Sequence, residues 1–287
     1  MPLLLAPVFN SVASGPVQIN LKNGFRLESG NDKLYKLSHR YLRNLMNENR
    51  LYFKEKVSAD SMFLIADYPQ MKVTEDRSYI ELIENLLNMA SGNGVCSIPY
   101  VLTIEQNQYG ISYLKRSLDG PAYLFDEEKR QVFEQLLRQE GHFPPVPFRR
   151  YLLSLERENW EDRLLDLWIA LESLFVPDGK KGEITYKVRM RTAYYFADTR
   201  EQRKRLSDFI KHSYNHRSEI VHSGKSPETG VSEEVQTLAE LVRITLINMY
   251  GEDIKPQELK TRLDELILSG ESYREVYHPA YFRQLSI

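Results

Sequence analysis

The chain has 287 residues, of which 42% are hydrophobic and 27% charged, and its formal net charge is −2. This length predicts one or two folded domains with enough apolar material for a core. The small net charge means that affinity for nucleic acid or a membrane would have to come from a local surface. The single cysteine excludes an intramolecular disulfide framework and a cysteine-rich metal site.

The N-terminal run "MPLLLAPVFN" is apolar but short, and no lysine or arginine precedes it, unlike in a signal peptide. No later stretch approaches the roughly 18 apolar residues of a membrane span. We therefore expect a cytoplasmic protein without a membrane partner.

Residues 1–125 combine predicted strands with two predicted helices. An Asn-Gly turn between "GPVQINL" and "FRLES" predicts a hairpin, and "IPYVLTIEQ" followed by "YGISYLKR" predicts another. Apolar spacing predicts helices over "DKLYKLSHRYLRNLMNENRLYF" and "DRSYIELIENLLNMA", the second ended by "SGNG". Strands are predicted over "SMFLIADYP" and over "NGVCSIPYVLTI", where Cys96 is expected to be a small buried residue rather than a nucleophile. Together these elements predict a mixed α/β domain, whose role the sequence does not indicate.

After residue 125 the pattern becomes helical, with breaks at glycine- and proline-rich segments. The predicted helices are Asp126–Glu140, Val146–Arg157, Glu161–Phe175, Glu183–Ala197, Arg200–Val221, Ser232–Tyr250 and Pro256–Leu268. The predicted fold class is therefore α+β: a mixed α/β domain over residues 1–125, then an all-α bundle over residues 126–287 that includes a C-terminal helix and tail.

Three consecutive helices of this bundle each place one ionisable residue on the apolar, inward side: Glu172, Arg191 and Arg217. Buried charges without partners cost several kcal/mol, so we expect these side chains to meet, with Glu172 accepting from Arg217, Arg191 or both. Such a network is either a structural ion-pair cluster or the polar cleft of an active site.

His222 follows Arg217 by five residues, which is about 140° around a straight helix. The two side chains can share a site only if the helix ends near His222 or if a second subunit contributes, and the following "SGKSP" predicts an end there. A histidine at this place suits proton transfer, although it can also be a simple capping side chain. The neighbouring His212 and His216 are not retained as catalytic candidates.

The segment between Lys180 and Lys225 carries twelve Lys/Arg and five Asp/Glu, a local excess of +7. A basic surface beside a Glu/Arg/His cleft favours a phosphate-rich polymer such as RNA. The weaker RNA-binding candidates are Arg203, Lys204, Arg205 and Lys211. A solvated helix face without a ligand is the alternative.

Three ordered stretches within residues 150–250, "WIALESLF", "YKVRMRTAYYF" and "YNHRSEIVHSG", resemble the HEPN superfamily. They are most similar to the Apea-type HEPN domains found with bacterial phage-defence and toxin systems. The resemblance implies a helical bundle that dimerises about its Arg/His helices and a metal-independent endoribonuclease site in the dimer cleft. By position, Arg217 and His222 would be the catalytic pair, supported by Glu172, Arg191, Tyr214 and Ser218.

The expected function is therefore cleavage of RNA without a cofactor or metal, by a homodimer that also has an antitoxin or sensor partner. A catalytically inactive HEPN module that dimerises or binds RNA or a nucleotide is the alternative. A third possibility is a helical scaffold with a purely structural Glu/Arg network, for which Glu172→Gln would lower the melting temperature sharply.

Overall fold

The computed structural model describes residues 3–42, 56–67, 73–92, 94–105, 108–114, 120–139, 141–179, 183–223 and 231–281. The chain forms two compact units, Met1–Leu137 and Arg138–Ile287. The helices are α1 (Asp32–Leu42), α2 (Val73–Ser91), α3 (Glu127–Arg138), α4 (Pro145–Glu156), α5 (Trp160–Phe175), α6 (Ile184–Phe196), α7 (Arg200–Ser223), α8 (Val231–Glu252), α9 (Pro256–Ser269) and α10 (Tyr273–Tyr277).

The first unit is built on an antiparallel six-stranded sheet with the order β3-β4-β5-β1-β6-β7. The strands are β1 (Leu3–Pro7), β2 (Ser11–Ala13), β3 (Gln18–Asn20), β4 (Phe25–Ser29), β5 (Met62–Asp67), β6 (Tyr100–Glu105), β7 (Gln108–Tyr113) and β8 (Tyr123–Phe125). The apolar N-terminal run becomes strand β1 inside this sheet, where Leu5 lies opposite Ile65 on one neighbour and Leu102 on the other. Strands β2 and β8 form a separate parallel pair.

Both predicted hairpins are confirmed, as β3-β4 and β6-β7. In the first, the loop Lys22–Gly24 holds Asn23 and Gly24 at positive φ angles of 59° and 74°, which Asn and Gly tolerate best. The two predicted helices are present as α1 and α2, and the part of the first predicted helix beyond Leu42 lies outside the described residues.

The predicted strand around Cys96 begins later, at Tyr100. Cys96 itself is buried, as predicted. Its backbone N–H donates to the side-chain oxygen of Asn88 on α2 at 3.0 Å, and its carbonyl accepts from the side-chain nitrogen of Asn88 at 2.9 Å. A side chain therefore satisfies the backbone here, which strand periodicity does not reveal.

The seven helices predicted after residue 125 are all present as α3 to α9, with ends within two residues of the predicted ones. Helix α3, however, belongs almost entirely to the first unit, where Phe133 packs edge-on against Phe125 at 6.1 Å between ring centroids. The change from strands to helices at residue 125 therefore precedes the division between the units, because a change in secondary structure is not a change in packing partner.

The core of the second unit is formed by α5 and α8. Trp168 on α5 is completely buried, and its indole N–H donates to Ser213 Oγ on α7 at 2.9 Å. Most of α8 is buried, from Val235 to Tyr250. This packing holds α7 against α5 at its middle, and thereby positions the residues that follow Ser213.

Candidate functional site

Helix α7 changes character at Ser213. Its buried residues are Leu206, Ser207, Ile210 and Ser213. From Tyr214 to Ser223, all of which are described, every residue is half-buried or exposed, and Val221 is 50% exposed. The spacing of Leu206, Ile210, Tyr214 and Val221 predicts one buried apolar face along the helix. The structure confirms this face only up to Ser213, because no residue of α7 after Ser213 is buried.

Arg217 and Glu172 lie next to each other on α7 and α5, as predicted. The closest guanidinium nitrogen is 4.0 Å from Glu172 Oε1, which makes an ion pair without a direct hydrogen bond, and the side chains are 26% and 28% exposed. The Arg217 guanidinium also lies 5.8 Å from the ring of Tyr214, which packs edge-on against Trp168. Aromatic packing thus supports an arginine that remains accessible to solvent.

Glu172 also lines a cleft of about 450 Å³ in the second unit. Other residues along it include Pro144, Pro147, Ile169 and Pro177. Burial raises the pKa of the Glu172 carboxyl above its ordinary value, and the positive charge of Arg217 opposes this rise only in part. The site therefore contains a partly desolvated acid beside an accessible cation.

Arg191 does not join Glu172, which corrects one of the two expected pairings. Its Nε and Nη2 donate to Asp264 on α9 at 2.8 and 3.1 Å, and its Nη1 donates to the Phe175 carbonyl at 2.6 Å. Burial acts to raise the pKa of Asp264, but hydrogen bonds from Arg191 and Lys260 hold it below its ordinary value. Arg191 is 6% exposed, so it links three helices inside the fold instead of lining a cleft.

His222 is exposed in the last turn of α7, which ends at Ser223. Among the described residues, no hydrogen bond or ion pair joins it to Arg217. The helix continues through both positions, so the five-residue offset directs them to different sides. Ser218, also half-buried, lies one residue after Arg217. One chain by itself therefore does not unite the expected catalytic pair.

The basic candidates on α7 divide into two groups. Arg203 donates to the carbonyls of Ala197 and Gly270 at 3.1 and 2.9 Å and lies 4.1 Å over the ring of Tyr194, so its donors are engaged within the fold. Lys204, Arg205 and Lys211 are exposed. The exposed three are therefore more accessible to a ligand than Arg203.

A cluster that the sequence reasoning missed joins His212 and His216 of α7 to Glu234 of α8. The imidazole rings are 4.2 Å apart, and His216 Nδ1 lies 2.7 Å from Glu234 Oε2. One ligand atom from each residue lies within 4.8 Å of the others. The four-residue spacing of the histidines by itself indicates that they share one side of a helix. The sequence does not indicate Glu234 as their partner, because it lies on another helix, in a first turn where acidic residues usually face solvent.

Among the residues that the structure describes, no helix is both long and apolar enough to cross a membrane. Comparison of the chain with family models, with curated proteins and with solved structures gives no match.

Proposed function

We propose that the chain is a metal-independent endoribonuclease of HEPN type that acts as a homodimer. The observation that carries this proposal is the accessible Arg217, held beside Glu172 and Tyr214 on the uncovered half of α7, with His222 exposed at the end of the same helix. An arginine that binds the phosphate and a histidine that transfers a proton are groups that can catalyse RNA transesterification.

In the proposed reaction, the 2′-hydroxyl of the ribose attacks the adjacent phosphorus while the bond to the leaving 5′-oxygen breaks. His222 transfers the proton, either from the 2′-oxygen or to the 5′-oxygen. Arg217 binds the non-bridging oxygens, on which negative charge increases in the transition state. The products are a 2′,3′-cyclic phosphate and a 5′-hydroxyl, and the reaction consumes no water and needs no metal.

The proposed site combines Arg217 of one chain with His222 of the other. A twofold axis makes such an exchange reciprocal, so one dimer contains two composite sites. The exposed Val221 offers apolar contact surface on the same helical segment. Lys204, Arg205 and Lys211 supply positive charge along the same helix for the RNA backbone.

The first test measures cleavage of total RNA in the presence of EDTA. We expect Arg217→Ala and His222→Ala each to lower the cleavage rate about 10²- to 10⁴-fold, the usual contribution of such groups. The matched controls are Arg149→Ala and His142→Ala, which remove an exposed arginine and histidine of the same unit and should cleave like wild type. Unchanged cleavage in both site variants would refute the proposal.

The composite site predicts complementation. When equal amounts of Arg217→Ala and His222→Ala chains exchange freely, about half of the dimers contain one of each, and each of these has one intact site of two. The mixture should therefore recover about a quarter of the wild-type rate. Recovery of no activity, with wild type active, would place both residues of each site in one chain.

The alternative is a catalytically inactive HEPN module that dimerises and binds RNA or a nucleotide. The half-exposed ion pair of Arg217 and Glu172 is compatible with this role, because an accessible guanidinium binds phosphate without cleaving it. It predicts a dimer in sedimentation and RNA binding without turnover. Under either function we propose a role in phage defence or toxin–antitoxin biology, with a sensor or antitoxin as a further partner.

A further inference from the structure

The cluster of His212, His216 and Glu234 brings together residue types that bind metals. The four-residue spacing directs both imidazoles to the same side of α7, towards the first turn of α8 that carries Glu234. This differs from the side that meets α5, where Ser213 bonds to Trp168 and Arg217 pairs with Glu172.

The carboxylate of Glu234 is the second observation that points to a ligand. The side chain is only 6% exposed, and Oε2 contacts His216 Nδ1 at 2.7 Å. Oε1 is buried and has no hydrogen-bond partner among the residues that the structure describes. Buried carboxylate oxygens in folded proteins nearly always have a hydrogen-bond or metal partner. The contact with His216 provides a partner for Oε2 but leaves Oε1 without one.

We propose that His212, His216 and Glu234 bind one divalent late transition-metal ion, for which zinc is the best match. Two imidazoles and one carboxylate form a ligand set typical of zinc, which leaves a fourth position for water or another ligand. Bond lengths of about 2.0–2.1 Å require ligand atoms roughly 3.3 Å apart around a tetrahedral ion. The three ligand atoms now lie within 4.8 Å of one another, and His216 Nδ1 is 2.7 Å from Glu234 Oε2. Small rotations of the three side chains would bring these distances to the required value.

The ion would link α7 to α8 beside the last two turns of α7. Nothing in the reaction proposed above passes through it, so its role is to stabilise the helix that carries Arg217 and His222. The inference therefore stands apart from the proposed nuclease activity. Its test contains no RNA, and failure of either proposal leaves the other intact.

The test is metal titration of full-length protein that has first been stripped with EDTA and dialysed. Calorimetry with Zn²⁺ should give one ion per chain, and Co²⁺ should produce the visible absorption of a tetrahedral site. The melting temperature should rise with Zn²⁺ concentration, because the ion binds the folded chain. Mg²⁺ should have no effect, because it prefers oxygen ligands. Less than stoichiometric binding of Zn²⁺ would overturn the proposal.

Two variants assign the site. His212→Ala changes an exposed residue and should fold normally, and Glu234→Gln preserves the shape of the buried side chain. Each should weaken Zn²⁺ binding by at least about 100-fold. Mutation of a residue that only hydrogen-bonds to a metal ligand already lowers metal affinity by up to about 100-fold, and loss of the ligand itself should lower it more. The matched control His142→Ala removes an exposed histidine of the same unit and should bind like wild type. Equal affinity in all three variants would overturn the assignment.

Discussion

At the scale of single residues, burial separates two arginines that look equivalent in the sequence. Arg191 is 6% exposed and uses its donors on Asp264 and the Phe175 carbonyl. Arg217 is 26% exposed and has no hydrogen bond to any residue that the structure describes. An arginine whose N–H groups are exposed to solvent can bind a phosphate. An arginine whose N–H groups already donate to buried partners instead links the helices that carry them.

The pKa of Glu172 leads to a prediction about stability. Because its folded-state pKa is raised, the carboxyl contributes stability below its unfolded pKa of about 4.5 and loses that contribution as the pH rises through the folded value. The Glu172→Gln side chain does not ionise, so the variant does not lose stability in this way as the pH rises. The melting temperature of the variant should therefore increase relative to that of wild type between about pH 4 and pH 7. At pH 7 the change in unfolding free energy should stay within about 1 kcal/mol, because the pair with Arg217 is half-exposed.

Asp264→Asn is the contrasting variant for this measurement. It leaves the buried guanidinium of Arg191 without its anionic partner, and we expect a loss of about 2 kcal/mol at pH 7, less than for a fully buried pair because Asp264 is 41% exposed. The pKa of Asp264 is lowered, so this loss should shrink as the pH falls through the folded value. A sharp loss in Glu172→Gln instead would support the purely structural network.

At the scale of elements, α7 and α8 differ in how they are held. Helix α8 is buried along most of its length, whereas α7 is covered only up to Ser213. The polar contacts of Trp168 with Ser213 and of Glu234 with His216 therefore help to position the uncovered half of α7. Helix α7 can therefore expose the side chains of its second half to a partner while its first half stays packed in the core.

The connection into α4 supplies a prediction at this scale. Gly141 packs so closely on the end of α8 that a Cβ atom there would overlap the carbonyl oxygen of Tyr250. Because the obstacle is helix backbone, it cannot rotate away, and Gly141→Ala should lower the free energy of unfolding by about 2–3 kcal/mol. Gly15→Ala, where an added Cβ meets nothing within 4 Å, is the control and should change it by less than about 0.5 kcal/mol. Denaturant unfolding measures both.

At the scale of the whole molecule, the protein consists of two compact units with different architectures. The first is a mixed unit around an antiparallel sheet, and the second is entirely helical in its regular structure among the described residues. All the residues of the candidate site belong to the second unit.

This division predicts that the second unit folds alone. Residues 138–287 contain their own core, including the fully buried Trp168 and most of α8. The expressed fragment should show a helical circular dichroism spectrum and a single cooperative thermal transition. A fragment that lacks a cooperative transition would show that its core depends on residues before 138.

The sequence by itself determined the α+β class, the two hairpins and the positions of helices α1 to α9, but not the strands β1, β2 and β8. Apolar periodicity, turn residues and helix breaks are local signals, and they predicted both hairpins and the seven helices from α3 to α9. It also drew attention to Arg217 and Glu172, because charges on an apolar face are costly and need partners.

Only the tertiary structure decided which charges meet and which remain open. Asp264 lies 73 residues from Arg191, and Glu234 lies 18 residues from His216 on another helix, so no local pattern connects them. Core packing sets the rotation of each helix about its axis, and a small rotation changes which side chain faces which neighbour. For that reason Arg191 became a structural link, Arg217 stayed accessible, and His212 and His216 gained the partner that makes them a metal-binding candidate.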